Sequence, residues 1–321
     1  MEFYIILSIL IISAAALIFF IVIFFISADY FRKTFIRKKP RPKIDRSPQQ
    51  IDQSTIFGRG QNWFYANRLN FKDLRMRSYD RLMLHAYYLP ARQKECPRAI
   101  ILAHGLGDDP SAMAAFAKMY LEKMDCHILL IHLRGHGMSQ GMCIGYGLPD
   151  SQDILMWSDF LEKHLEMKLE FIYHGCSIGA AAVLMAAGSQ HVPKGLRGIV
   201  ADSSFNSMEN LLAYRLRSYP SFIRKLMQMI MNSILRRRTG YEISQISPIL
   251  SAKHIDLPVL IIHGSEDTET PVQMGEDIFE KIQAQKRFML VRETGHEMSF
   301  DHVTSRYSVE VNNLLEVAQI M

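Results

Sequence analysis

The most specific chemical signal in the chain is Gly175-Cys176-Ser177-Ile178-Gly179, a match to G-x-S-x-G. A serine hydroxyl is a poor nucleophile at its free pKa and needs a partnered base. The two glycines are what a sharp strand-to-helix turn demands, because bulk beside the serine would clash with neighbouring strands. The context agrees. The apolar run LEFIYH (169–174) precedes the motif and the Ala-rich stretch AAAVLMAAG (180–188) follows it. Such a turn would lift the Ser177 hydroxyl above a sheet, at the start of a helix whose dipole favours developing negative charge. The plainer alternative is an ordinary helix-capping serine.

In strand–turn–helix serine sites the acid follows a later strand and the histidine comes last. Asp267, in HGSED, stands just past the strand-like run LPVLIIH (257–263). His296, in TGHE, stands just past KRFMLV (286–291). Both positions lie beyond the carboxyl end of a strand, where open α/β sheets build their sites. His296 is expected to take the Ser177 proton and return it to the leaving group, with Asp267 orienting the ring. Glu266 and Asp202, the latter closing the run RGIVAD (197–202), are rival acids. The oxyanion needs two donors. The expected pair is the backbone N–H of Ile178 and that of Leu106, in His104-Gly105-Leu106-Gly107. This chemistry calls for no cofactor.

Other reactive side chains are assigned plainer roles. His104, His132, His174 and His263 each end a strand-like run. Several imidazoles at one sheet edge could hold a metal. No H-x-H or H-E-x-x-H spacing occurs, so ring hydrogen bonds that support loops are expected instead of a metal. Cys176 is expected to pack. The four cysteines (Cys96, Cys126, Cys143, Cys176) form no C-x-x-C pair, so neither disulfides nor structural zinc is expected.

The elements that must position these residues alternate. Residues 74–79 and 82–89 read as a hairpin, followed by strand-like runs at 98–104, 126–132, 169–174, 197–202, 257–263 and 286–291. Helical stretches fall at 110–124, 150–166, 177–188, 271–284 and 301–319. Alternation of this kind implies right-handed crossovers and a mostly parallel sheet with helices on both faces. About 206–250 breaks the rhythm. It is helical in composition, rich in Met, and holds seven basic residues against two acids. An insertion of that size reads as a helical cap. Arg236-Arg237-Arg238 reads as a solvated turn, with anionic lipid as the alternative.

Residues 3–26 (FYIILSILIISAAALIFFIVIFFI) carry no charge. A helix of that length crosses the ~30 Å hydrocarbon core of a bilayer. A cleaved signal peptide needs a positive n-region and a shorter apolar core; here Glu2 precedes the core and no Lys or Arg does. Residues 32–46 then hold eight basic residues against Asp45 alone. The positive-inside rule places the chain from residue 32 onward in the cytoplasm. The net charge of +5 is concentrated in that one flank. A nucleic-acid partner, which needs basic charge spread over a folded face, is therefore not expected. The organisation expected is a transmembrane anchor at 1–30, a basic segment and linker at 31–60, and a catalytic domain at 61–321.

Five motifs together, HGLGDD (104–109), LRGHGMSQG (133–141), GCSIGAA (175–181), HGSEDTETP (263–271) and ETGHE (293–297), resemble the α/β-hydrolase superfamily. The likeness is to the bacterial membrane-anchored group described as cell-surface and serine-aminopeptidase-like hydrolases, and it covers roughly residues 60–320. That group usually has Asp before R-G-H-G, where this chain has His132; the position supports the loop and does not react. The resemblance implies an α/β-hydrolase fold and a serine hydrolase acting on a small ester, acyl or short peptide substrate through an acyl-enzyme. Esterase or lipase-like action comes first and peptidase action second. A non-catalytic binding protein of the same fold is the alternative from another class. The cell-surface likeness also implies the face opposite to the one the basic flank implies, so both faces stand.

Overall fold

Every apolar run read as a strand is one in the computed structural model, which describes residues 1–37 and 51–320. The strands are β1 Lys72–Arg77, β2 Met83–Leu89, β3 Arg98–Ala103, β4 His127–Ile131, β5 Glu170–Cys176, β6 Leu196–Asp202, β7 Val259–Gly264 and β8 Lys286–Val291. The helices are α1 Glu2–Phe35, α2 Ile56–Ala66, α3 Ala114–Leu121, α4 Leu148–Leu165, α5 Ile178–Ala187, α6 Met208–Arg215, α7 Ser221–Thr239, α8 Pro248–Ala252, α9 Val272–Lys281, α10 Ser299–His302 and α11 Thr304–Val317. Residues 38–50, which hold most of the expected basic flank and the start of the expected linker, lie outside the described residues, as does Met321.

The chain divides into two units: Met1–Ile36 with Met208–Gln245, and Arg37–Ser207 with Ile246–Met321. The second contains one eight-stranded sheet in the order β1-β2-β4-β3-β5-β6-β7-β8. The pairs β1–β2 and β2–β4 are antiparallel; all others are parallel. This is the α/β-hydrolase fold. Strands β4 and β7 are buried along their whole length, and β3 and β5 at all but their first residue. Unbroken apolar runs are what strands covered on both faces require. The strand β3 has β4 on one side and β5 on the other, and later strands add outward beyond β5. The sheet thus changes its direction of growth between β3 and β5, which opens a crevice at their carboxyl ends.

The helix α5 is buried at all ten residues. Its small side chains let it lie close on β5 and β6. The core on the face of α3 and α11 joins Ile100, Leu102, Ile128 and Leu130 to Phe116, Tyr307 and Leu315. Each such side chain contributes roughly 1.5–3 kcal/mol on burial.

The expected linker ran to Gly60, whereas α2 begins at Ile56. Its N-cap is Thr55, whose hydroxyl accepts from the Gly58 N–H. The reason is apolar spacing that the Pro- and Gln-rich approach conceals: Phe57 and Phe64 pack into the core beside Phe116 and Phe71. Gly60 lets α2 approach the neighbouring backbone, since a β-carbon there would lie 2.4 Å from the Ala115 nitrogen. The expected helix at 301–319 is broken at Val303 into α10 and α11.

In the other unit, residues 2–22 and 24–26 of α1 are exposed. Ile23 is buried with Leu216, Ile223 and Met227, and Tyr30, Leu226 and Ile230 pack against that cluster. The insertion expected at about 206–250 contributes its helices α6 and α7 to this unit, over Met208–Gln245.

Candidate active site

Ser177 occupies the turn between β5 and α5 with φ 51° and ψ −113°. Few non-glycine residues adopt such a backbone, and surrounding structure must hold it there. Both flanking glycines are required by contact. A β-carbon on Gly175 would lie 2.2 Å from the Gly179 carbonyl oxygen, and one on Gly179 would lie 2.2 Å from that of Ala103. The turn is therefore wedged between α5 and the end of β3.

The Ser177 hydroxyl lies 2.9 Å from His296 Nε2, and His296 Nδ1 lies 2.7 Å from Asp267 Oδ2. An ionised carboxylate only accepts, so Nδ1–H donates to Asp267 and Nε2 is free to accept from the serine. The three side chains come from the ends of β5, β7 and β8, separated by as many as 119 residues.

Asp267 is held as an anion. Burial works against its charge, but hydrogen bonds from His263 and His296 and from the Thr270 backbone outweigh it and hold the carboxyl well below its usual range. Its Oδ1 accepts from the Glu269 and Thr270 N–H groups at 2.9 and 2.8 Å. His263 Nε2 lies 2.7 Å from the Thr270 carbonyl oxygen, which fixes the proton on Nε2, and 3.3 Å from Asp267 Oδ2. The Thr270 hydroxyl is 3.0 Å from both Asp267 Oδ2 and the Ser203 carbonyl oxygen and can donate its one proton to either. His296 shows the complementary balance. Burial alone would depress its pKa, yet the Asp267 hydrogen bond and charge raise it above 6.5.

The rival acids are placed elsewhere. Glu266 is exposed. Asp202 is fully buried at the end of β6 and accepts from the Ser203 hydroxyl at 2.9 Å and the Tyr307 hydroxyl at 3.1 Å. Burial raises its pKa to about 6. Tyr307 in turn accepts from His174 Nε2 at 3.0 Å, whose Nδ1 meets the Tyr120 hydroxyl at 3.1 Å. His174, driven down to about 3 by burial, is neutral in this chain of bonds.

The loop after β3 carries Leu106, which is 40% exposed. The His104 ring fixes the loop's start: Nδ1 is 2.8 Å from the Gly105 carbonyl oxygen, and Nε2 accepts from the Leu133 N–H at 3.2 Å. His132 Nδ1 accepts from the Met138 N–H at 3.4 Å. Ile178 is the first residue of α5, and the N–H at that position has no partner within its own helix. Burial pushes the Cys176 thiol well above its usual pKa, so it is no thiolate.

Several residues here lay beyond sequence reasoning. Glu297 follows His296 at φ 58°, and its N–H donates to the Ser203 hydroxyl at 3.2 Å. Arg134, 6% exposed, donates to Asp153 at 2.7 and 2.8 Å and to Asp80 at 2.8 Å. This ties the R-G-H-G loop to α4 and to the β1–β2 turn. The R-G-H-G motif pointed at the arginine, but nothing local pointed at its acids.

Residues 120–312 match the prolyl oligopeptidase family. The Bacillus subtilis protein YqkD is 28% identical over 222 residues, covering 69% of this chain and 72% of YqkD. Among solved structures, the Pyrococcus furiosus esterase Pf2001 superposes with a TM-score of 0.60 at 18% identity, covering 77% of this chain and 90% of the esterase. The Pyrococcus horikoshii acylaminoacyl peptidase superposes with a TM-score of 0.57 at 18% identity, covering 77% of this chain and 41% of the peptidase.

Proposed function

The chain belongs to the prolyl oligopeptidase family, whose members are serine hydrolases of the α/β fold, and from that premise we propose that Ser177, His296 and Asp267 are its catalytic residues. The observation that carries this reading is the unbroken hydrogen-bond chain from Ser177 Oγ through His296 to Asp267, at 2.9 and 2.7 Å. Ser177 Oγ attacks the substrate carbonyl while His296 Nε2 takes its proton. The oxyanion is received by the N–H groups of Ile178 and Leu106. Collapse of the tetrahedral intermediate expels the leaving group, protonated by His296, and leaves an acyl group on Ser177. Water, deprotonated by the same imidazole, then releases the acid. Asp267 orients the ring and stabilises the imidazolium in both steps.

The substrate is a small ester or acyl compound. Peptidase action is the second reading, favoured by the family match. We read α1 as an uncleaved membrane anchor. From Phe3 to Ile26 the helix is uncharged and, Ser8, Ser13 and the buried Ile23 aside, apolar and exposed, and a helix of that kind is at home in hydrocarbon. Cleavage would also remove Ile23 and Tyr30 from their packing against Leu216, Ile223 and Met227. By the positive-inside rule, Arg32 and Lys33 put the larger unit in the cytoplasm.

The test is labelling of the detergent-solubilised full chain with a fluorophosphonate. Wild type should label and Ser177→Ala should not. Labelling of neither favours the binding-protein alternative. A panel of p-nitrophenyl esters and aminoacyl anilides then separates esterase from peptidase.

A further inference from the structure

The helix α7 carries five basic residues (Arg224, Lys225, Arg236, Arg237, Arg238) and no acid. Its buried residues, Ile223, Met227, Met231 and Leu235, recur at four-residue spacing along one face. Phe222, Leu226, Met229 and Ile230 fall at i, i+4, i+7 and i+8 and make a second apolar stripe beside it. Phe222 and Met229 are 64% and 68% exposed. Leu226 and Ile230, with Phe20, Ile21, Phe24 and Phe25 of α1, line an open groove of about 360 Å³. All six lining side chains are hydrocarbon, a surface that water does not stabilise.

The geometry of α1 says what covers it. From Phe3 to Val22 every residue of α1 is exposed; Ile23 is the first buried one, and Phe24, Phe25 and Ile26 beyond it are exposed again. At about 1.5 Å per residue Phe3–Val22 spans about 30 Å, the thickness of the hydrocarbon core, and Phe3–Ile26 about 36 Å. The bilayer surface therefore falls between Ile23 and Ile26, the level at which α7 meets α1. The two helices run in the same sense: Leu226 and Ile230 lie beside Phe20–Phe25, and the Arg238 guanidinium lies 6.0 Å from the Phe31 ring centroid. The aromatic and aliphatic end of α7 is thus at the hydrocarbon boundary, with its three consecutive arginines farther out, at headgroup depth.

We propose that α7 is a second membrane contact, with Phe222, Leu226, Met229 and Ile230 in the outer acyl layer and Arg236–Arg238 on anionic lipid headgroups. The proposal rests on the reading of α1 as a membrane span. It gives the basic, Met-rich insertion a lipid partner, and makes the composition of one leaflet something the protein can sense.

The test uses the full chain reconstituted into vesicles containing a phosphatidylcholine with a diazirine in its acyl chain, followed by photolysis and peptide mapping. Adducts are expected on residues 3–22 and also on the tryptic peptide 226–236. Replacing part of the phosphatidylcholine with phosphatidylglycerol should raise the yield on 226–236 about fivefold for each arginine engaged. Adducts on α1 with none on α7 would overturn the proposal and leave the anchor standing. Adducts on neither would remove the anchor and this contact together. Protein–protein crosslinks through Leu226 and Ile230 without lipid adducts would mean that a second copy covers the groove, and would also overturn it. An Arg236→Gln, Arg237→Gln, Arg238→Gln variant should keep its α1 adducts and lose the phosphatidylglycerol dependence. Undiminished dependence would dismiss the arginines as the headgroup contact.

Discussion

Glu297 presses its carboxyl oxygen Oε1 against Gly105. A β-carbon on Gly105 would lie 2.2 Å from that oxygen, which is buried without a hydrogen-bond partner among the described residues. Burial raises the Glu297 pKa to about 7, against the opposing pull of His296. A carboxyl whose folded pKa exceeds its unfolded value binds more protons when folded. Stability is therefore fully present below about pH 4.5 and falls as pH rises toward 7, by up to about 3 kcal/mol. Glu297→Gln removes the ionisation. Its thermal midpoint should exceed that of wild type by several degrees at pH 8 and by much less at pH 5. An equal difference at both pH values would show that the carboxyl is not displaced.

The same charge acts on His296, the proposed base. Asp267 first, then Glu297 and Asp202, favour the imidazolium and lift His296 above 6.5. A general base must be neutral, so kcat/KM should rise with pH through the His296 pKa. Glu297→Gln withdraws one of those charges. The midpoint of the acidic limb should then move to lower pH while the plateau persists. A midpoint that stays in place would mean that the carboxylate does not reach the imidazole.

Three carboxylates competed for one role, and mutation separates them. Asp267→Asn keeps the shape but favours the wrong tautomer of His296, and should lower kcat by about 10⁴-fold. Glu266, exposed to solvent, should tolerate Gln with a change within about twofold. Asp202→Asn disturbs the Tyr307 and Ser203 bonds, so its effect should fall on the unfolding midpoint more than on kcat. Steady-state kinetics and urea melts on the three variants suffice, and a large kcat loss in Glu266→Gln would relocate the acid.

The strands and the serine turn were legible because their signals are local: an apolar run bounded by Gly, Asp or Pro, or glycines two residues either side of Ser177. The placement of Asp267 and His296 was legible because each follows a strand, β7 and β8. What stayed hidden is the support behind them. His263 and Thr270 reach Asp267 only once the loop after β7 closes. Ser203 meets Glu297 across 94 residues, a contact no periodicity encodes. The helix α2 was missed because composition over a window averages Phe57 and Phe64 with the polar residues before them.

Gly179→Ala tests the wedge under the serine. The new methyl group would meet the Ala103 carbonyl oxygen at 2.2 Å, and a backbone carbonyl within β3 cannot swing aside. Overpacking of this kind costs roughly 1–3 kcal/mol. Relief requires α5 to move away from β3, taking Ser177 away from His296. Activity should therefore fall far more than stability. A variant with wild-type turnover would show that the turn has room to spare.

Arg134 makes the sharpest case for stability. Burial opposes its charge, and the paired contact with Asp153 outweighs that, holding the guanidinium above its usual range. Arg134→Ala leaves the buried Asp153 carboxylate without its partner, a change that costs about 3–5 kcal/mol. Removing Asp153 as well takes away the stranded charge, so the double variant Arg134→Ala, Asp153→Ala should lose less than the sum of the two single variants. The urea midpoints of the four proteins close the cycle. Strict additivity would show that the pair is not coupled, and the R-G-H-G loop would then owe its position to the His136 and Asp150 contacts with the Arg134 backbone.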